Sequence, residues 1–164
     1  MLGKATEIKK KMYLSINNGQ VTHTEKDGTK QFYGYVEGYL EDVYLKDRPF
    51  NGRFAKFWYL DLRDDADLYS LCLPYNSGTF KSIILSLADA EALTRSTPIR
   101  IEPYSGNNGY TKVVVYADGV KLDWAVKDLP PVKEVIVNGN VMKDETERMT
   151  LITSLAEQVR KRLQ

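Results

Sequence analysis

A stretch of aromatic and aliphatic residues between positions 31 and 75 constrains the fold of this chain more than any other feature. It contains three segments rich in Tyr, Phe, Leu and Val, at residues 31–40, 55–63 and 68–75. A basic connection and an acidic turn at 64–67 join them. Segments of this composition, bounded by polar turns, are typical of β-strands. The stretch therefore predicts three consecutive strands.

A helix and two further strands are predicted downstream. Ser77 can cap a helix N-terminus, and apolar residues follow it at helical spacing, with Pro98 just beyond. Residues 99–102 and 110–116 are predicted strands, and Asn-Gly or Asp-Gly pairs elsewhere predict hairpin turns. The apolar residues of the helix are Phe80, Ile83, Ile84, Leu87 and Leu93. The turn pairs are Asn18-Gly19, Asp118-Gly119 and Asn138-Gly139.

A second, amphipathic helix is predicted beyond Pro130-Pro131. The chain thus divides into an N-terminal arm and hairpin (1–30), a barrel-like part (31–128) and a linker with a C-terminal helix (129–164). The apolar stripe of this helix either docks on the rest of the chain or pairs with another copy. Its separation by two prolines favours homo-oligomerisation or partner binding. The stripe consists of Met149, Ile152, Leu155, Ala156, Val159 and Leu163.

Composition restricts the location and the ligand. The formal net charge is +1, so any anion-binding role depends on local clustering of cations. Cys72 is the only cysteine, which fits a reducing compartment. Lys9-Lys10-Lys11 interrupts any signal-peptide core, and no apolar run approaches the roughly 18 residues of a membrane span. We therefore expect a cytoplasmic protein that does not enter a membrane.

Alternation along the strands predicts which side chains face outwards. With Leu60 and Leu62 inside, the neighbouring Phe57, Tyr59 and Arg63 face solvent. The same alternation predicts buried apolar residues and outward aromatic or basic residues in the other strands. The predicted inward residues are Val36, Leu40, Trp58, Leu71, Leu73, Ile99, Ile101, Val113 and Val115. The predicted outward residues are Tyr33, Tyr35, Tyr39, Ser70, Cys72, Arg100, Tyr104, Tyr110, Lys112 and Tyr116.

The connection at residues 46–56 adds four basic residues, one acidic residue and the exposed rings of Phe50 and Phe54. Aromatic faces beside cations are what a single-stranded nucleic acid needs, because bases stack on the rings while Lys and Arg follow the phosphates. A purely structural interpretation stays open. Tyr and Phe are favoured in strands, and a tyrosine ring tolerates partial exposure because its hydroxyl stays wet.

The order of elements, with Gly34 and Gly38 bending the first strand and a helix between the third and fourth strands, resembles the OB-fold. Within that fold the chain is most similar to single-stranded DNA-binding proteins of the phage or bacterial replication type. The resemblance implies a mainly β fold: a five-stranded OB-type barrel with one helix between strands 3 and 4, plus a helical C-terminal extension. It also implies that the ligand crosses the second and third strands, between loops at 46–56 and 104–110. The basic C-terminus departs from the acidic tail of many such proteins and leaves partner recruitment open.

The function that this pattern favours is non-catalytic, sequence-tolerant binding of single-stranded DNA, with RNA as an alternative, in replication, recombination or repair. A second hypothesis is a protein-interaction or structural module of phage type that uses the same aromatic face. Residues predicted to stack on bases are Phe50, Phe54, Phe57, Tyr59, Tyr104 and Tyr110. Residues predicted to contact phosphates are Lys46, Arg48, Arg53, Lys56, Arg63, Arg100 and Lys112.

The sequence contains few of the residues from which catalytic or metal sites are built. With His23 and Cys72 as the only residues of their types, neither a zinc site nor a Cys-His nucleophile can be assembled. We therefore expect no enzyme activity, no cofactor and no metal. The remaining alternative is a small hydrolase with a hard cation held by carboxylates. Its ligands would come from Asp61, Asp64, Asp65 and Asp67.

Overall fold

The computed structural model describes residues 11–65 and 67–164 and shows a mainly β chain with two helices. The predicted N-terminal arm, up to residue 10, and Ala66 of the acidic turn lie outside the described residues. In chain order the elements are β1 (Lys11–Asn17), β2 (Gln20–Thr24), β3 (Lys30–Tyr33), β4 (Val36–Phe50), β5 (Arg53–Arg63), β6 (Leu68–Pro74), α1 (Gly78–Asp89), β7 (Pro98–Ser105), β8 (Thr111–Ala117), β9 (Val120–Lys121), β10 (Lys133–Val137), β11 (Asn140–Asp144) and α2 (Thr146–Arg162).

Nine strands form one mixed sheet in the order β3-β2-β1-β6-β5-β4-β7-β8-β9, and β10 and β11 form a separate hairpin. The predicted five-stranded OB-type barrel is therefore wrong. A barrel closes only when its two edge strands pair with each other. In the described chain the edges are β3 and β9, and no ladder joins them.

The parallel pairing of β1 with β6 explains why the predicted closure fails. β1 lies along the outer edge of β6, with Leu14 opposite Leu71, so that edge is not free for the last strands. The sheet still curls. Gly19, in the β1–β2 turn, donates from its backbone N to Thr111 Oγ1 at 3.0 Å. A Cβ at Gly19 would lie 2.5 Å from Ser105 Oγ, so this close approach requires glycine.

Two strand boundaries also differ from the prediction. The predicted first strand at 31–40 is split into β3 and β4 by a bend at Gly34 and Tyr35. The basic connection at 46–56, predicted as a loop, is instead the outer part of the β4–β5 hairpin. The Asn51-Gly52 pair within it is a two-residue hairpin signal. Its turn lets the ladder continue to the tip.

The core confirms the predicted inward side chains, whereas Tyr59, Ser70 and Cys72, predicted to face outwards, are buried. Leu40, Leu60, Leu62 and Leu71 are fully buried or nearly so. They face α1, whose Phe80 stacks on Trp58 with ring centroids 4.6 Å apart. All other predicted inward residues are buried as well, except Val113, which packs half-buried against the core.

The first helix begins where the sequence predicted. The Ser77 side chain accepts a hydrogen bond from Phe80 N at 3.2 Å, which satisfies one of the free N–H groups of the first turn. The helix ends at Asp89, so Leu93 lies beyond it but is still buried.

The second helix packs within the same chain. Its apolar stripe is buried against the core, with Ile152 and Val159 fully covered. Arg162 Nη1 reaches across to α1 and donates to Ala88 O at 2.8 Å, and Arg160 pairs with Asp42 at 3.0 Å. This arrangement corresponds to the docking alternative for the stripe, and homo-oligomerisation stays a prediction. Neither helix of the described chain is long and apolar enough to cross a membrane.

We expect Ile152→Ala to lower the free energy of unfolding by about 2–5 kcal/mol, because it leaves a cavity in a fully buried site. The matched control is Ile136→Ala, on β10, where the side chain is 77% exposed. Its effect should stay within about 0.5 kcal/mol. Urea unfolding followed by circular dichroism measures both. Equal, small effects would contradict the docking of α2 on the core.

Candidate nucleic-acid interface

The β4–β5 hairpin extends beyond the rest of the sheet as a two-stranded arm. The last pair joining β5 to β6 is Phe57 opposite Pro74. Residues 46–56, called the arm below, form no further ladder with β6, and the Lys56 carbonyl accepts one last backbone hydrogen bond from Tyr75 N at 3.1 Å. At the tip, Asn51 and Gly52 have φ values of 51° and 75°. A two-residue turn with positive φ at both positions matches the right-handed twist of its strands, so the ladder stays regular to the end.

Register divides the arm into two faces, since residues directly opposite in an antiparallel pair share a face. Lys46 lies opposite Phe57 and Phe50 lies opposite Arg53. Together with Arg48 these residues share one face, called the cationic face below. The other face carries Phe54 and Lys56, opposite Pro49 and Asp47. The structure thus brings eight of the thirteen predicted site residues together on the arm and its base.

Rings and cations touch on the cationic face. The Arg48 guanidinium carbon lies 4.7 Å from the centroid of the Phe57 ring. The Phe50 ring is tilted by 60° against Phe57 with centroids 6.0 Å apart. Each such contact contributes about 0.5–1.5 kcal/mol. These contacts hold in shape a hairpin that is marginal in isolation.

Tyr59 lies at the base of the arm and is only 8% exposed. Its ring stacks on Tyr44, with centroids 5.2 Å apart and planes 10° from parallel. Burial, together with the hydrogen bond to Cys72, raises the pKa of Tyr59 to about 12. Tyr59 therefore lies on the outer side of the sheet, but the prediction that it faces solvent is wrong, because Tyr44 and its other neighbours cover its ring.

Cys72 and Ser70 also lie on the outer side of the sheet but are buried there. Arg48 Nη1 lies 3.1 Å from Cys72 Sγ, and Ser70 Oγ donates to Asp61 Oδ1 at 2.7 Å. Asp61 also pairs with Lys11 Nζ at 3.1 Å. Long side chains on the outer face of the sheet therefore cover the short side chains of Cys72 and Ser70. The alternation of side chains does not by itself predict this burial.

Arg63 and Arg100 form two further cation–aromatic pairs, away from the arm. Arg63 lies 5.1 Å from the Tyr39 ring centroid and pairs with Glu41 at 2.8 Å. Arg100 lies 3.7 Å from the Tyr35 ring centroid. Tyr39 is nine residues before Arg48 on β4, roughly 30 Å along an extended strand. These two arginines are therefore not part of the arm cluster.

The last three predicted residues lie at the β7–β8 end. Tyr104 and Lys112 are directly opposite each other, and Tyr110 is exposed in the connecting turn. This end contacts the β1–β2 turn through Thr111 and Gly19. It forms a third group of predicted residues, and no described contact joins it to the arm.

A cleft of about 1100 Å³ lies between the arm and α2. Sequence reasoning missed it because it depends on α2 docking against α1 and β4. Hydroxyl side chains at helical spacing on α2 were the available signal. The cleft is lined by Phe50, Ala55, Lys56, Phe57, Pro74, Tyr75, Asn76, Lys143, Asp144, Glu145, Thr146, Met149, Thr150, Thr153, Ser154 and Glu157.

The acidic turn is organised by its own hydrogen bonds. Asp64 Oδ1 accepts from the backbone N of Asp67 at 2.6 Å, and the Tyr69 hydroxyl donates to Asp64 Oδ2 at 3.1 Å. Burial and the nearby carboxylates raise the pKa of Tyr69. Among residues 11–65 and 67–164, no group of three or more His, Cys, Asp or Glu is placed to hold a metal ion.

Comparison with protein-family models, with curated proteins and with solved structures finds no match for this chain.

The raised pKa of Tyr59 predicts a specific alkaline instability. An unfolded tyrosine deprotonates near pH 10, whereas folded Tyr59 keeps its proton to about pH 12. Between these values the unfolded chain binds fewer protons, so stability falls as pH rises. We expect Tyr59→Phe to flatten this fall above pH 10, measured by urea unfolding across pH. Tyr104→Phe, at a more exposed ring, should leave the slope unchanged. An unchanged slope in Tyr59→Phe would contradict the assignment.

Proposed function

We propose that this protein binds single-stranded DNA with little sequence preference, and that the arm is the main contact. The observation that carries the proposal is the cationic face, where Lys46, Arg48 and Arg53 lie beside the rings of Phe50 and Phe57. The protein would act in the cytoplasm, in replication, recombination or repair. No reaction and no cofactor are part of the proposal.

Exposed rings supply the base contacts in this proposal. Phe54 is 78% exposed and Phe50 is about half exposed, so both present ring surface to solvent. Stacking of a base on such a ring contributes about 1–3 kcal/mol and tolerates any base, since every base has a π-face. Tyr104 and Tyr110 offer a second stacking position at the β7–β8 end. Tyr59, being buried, supports the arm and does not itself bind a base.

The basic residues supply the phosphate contacts. The arm carries four basic residues against one acidic residue, while the whole chain has a formal charge of only +1. The positive field is therefore local to the arm. Its cations lie on a strand pair that projects beyond the core, so a flexible strand can reach them without deforming the fold.

The second candidate is a protein-interaction or structural module that uses the same aromatic face. One observation favours it. Arg63 pairs with Glu41 at 2.8 Å and Arg100 with Glu102 at 3.5 Å, so these two cations already have carboxylate partners. A protein interface depends mainly on aromatic and apolar anchors, whereas a nucleic-acid site needs its cations.

Salt dependence tests the leading proposal. We expect a labelled oligothymidine of about 30 nucleotides to bind with a log–log salt slope near −3, about 0.7 for each of the four arm cations. Arg53→Gln should reduce the slope by about 0.7. Lys26→Gln, in the β2–β3 turn, should leave it unchanged. Fluorescence anisotropy measures all three. Absence of binding at low salt would overturn the proposal. Tighter binding of the matching RNA would identify RNA, and not DNA, as the ligand.

Stacking is tested separately from charge. We expect Phe54→Ala to weaken oligothymidine binding by about 1–3 kcal/mol without changing the salt slope, because it removes a ring and no cation. Phe32→Ala is the matched control, since Phe32 is also exposed but lies on β3. An equal loss in both variants would argue against the arm as the contact surface.

A further inference from the structure

We infer that the cleft between the arm and α2 is where bases of the bound strand insert, with α2 as the second wall of the site. The inference rests on the proposed function and adds a surface to it. The C-terminal helix becomes part of the ligand site, and the ligand is the unpaired base rather than the phosphate backbone.

One wall of the cleft is aromatic. Phe50 and Phe57 of the hairpin line it together with Tyr75, which follows β6. Tyr75 is fixed in orientation, because its ring stacks on buried Trp58 with centroids 6.3 Å apart and planes 13° from parallel. Its carbonyl oxygen accepts a hydrogen bond from Trp58 Nε1 at 3.2 Å. Ordered rings of this kind are suited to stacking a base.

The opposite wall is a polar face of α2. Thr146, Thr150, Thr153 and Ser154 recur at spacings of four, three and one residues, so one helix face presents four hydroxyl groups to the cleft. The hydroxyls of Thr146 and Thr150 already donate to Asp144 Oδ1 and to the Thr146 carbonyl, so towards the cleft they act as acceptors. Those of Thr153 and Ser154 can donate or accept, so the face offers both roles to a base edge, in agreement with binding that tolerates sequence.

Charge orients the strand in the cleft. The helix side contributes the carboxylates of Asp144 and Glu157 and the cation of Lys143, while Glu145 pairs with Lys81. The two carboxylates repel phosphates, whereas Arg48 and Lys46 attract them on the cationic face of the arm. The phosphate backbone therefore follows the arm while the bases turn towards α2.

Contacts at the two ends of α2 hold the helical wall of the cleft. Lys81 of α1 pairs with Glu145 at 2.8 Å, in a largely buried position at the start of α2. At the other end, Arg162 Nη1 donates to Ala88 O at 2.8 Å and to Ala90 O at 3.1 Å. A wall that is in place before the ligand arrives loses little conformational entropy on binding.

The test fills the cleft without touching the arm. Removing α2 is unsuitable, because its apolar stripe is part of the core. In the double variant Thr150→Leu, Ser154→Leu, two hydroxyls are replaced by bulkier apolar groups. We expect this variant to bind oligothymidine at least about tenfold more weakly. Gln158→Leu, on the exposed side of α2 but outside the cleft, should change affinity by less than about twofold.

A photocross-linking experiment on the wild-type protein locates the bases directly. An oligonucleotide carrying 5-iodouracil should cross-link to Tyr75 or to the peptide of α2, as mapped by mass spectrometry. Wild-type affinity in the double variant, or cross-links confined to Tyr104 and Tyr110, would overturn the inference and leave the proposed function standing. Failure of the wild-type protein to bind any oligonucleotide would overturn both.

Discussion

The pairing of β4 with β5 is the interaction on which the rest of this structure depends. The two strands stay in register from Tyr39 opposite Arg63 to Phe50 opposite Arg53, with a single irregularity between Leu40 and Asp42. The inner half of the pair carries Leu60 and Leu62 into the core. The outer half leaves the core and becomes the arm. One continuous ladder therefore connects the buried core to the exposed basic arm.

The arm is built from residues that serve structure and binding together. Arg48 packs on Phe57 and contacts Cys72, so it stabilises the hairpin. The same guanidinium keeps unused donor groups, because five N–H donors cannot all be satisfied by one ring and one sulfur. A phosphate can therefore be bound without first breaking the contact that orders the side chain. The same residues therefore fit both a structural and a functional interpretation of the aromatic pattern.

The second helix changes the character of the site. If α2 did not pack on the core, the arm would project into solvent with no second surface beside it. Docked against the core, it faces the arm across a cleft whose two walls differ in chemistry, aromatic on one side and hydroxyl-rich on the other. Lys81 of α1 pairs with Glu145 at the start of α2, and Arg162 at the end of α2 donates to a carbonyl at the end of α1. The cleft is therefore a property of helix docking and not of the strands alone.

The sequence by itself determined the features that depend on short-range periodicity and turn chemistry. The alternation of side chains predicted the buried residues Leu60, Leu62, Ile99 and Ile101, and Ser77 predicted the start of α1. The Asn51-Gly52 turn was equally readable, since it has the same form as Asn18-Gly19. It was overlooked because the basic residues around it suggested a loop.

Only the tertiary structure decided which strand edges meet. β1 pairs with β6 across more than fifty residues of chain, and that pairing prevents the predicted barrel from closing. The docking of α2 on α1 and β4, and with it the cleft, depends in the same way on contacts between distant segments. Local patterns fix the period and the turns of a chain, whereas long-range partners depend on which edges and faces stay free once the rest has packed.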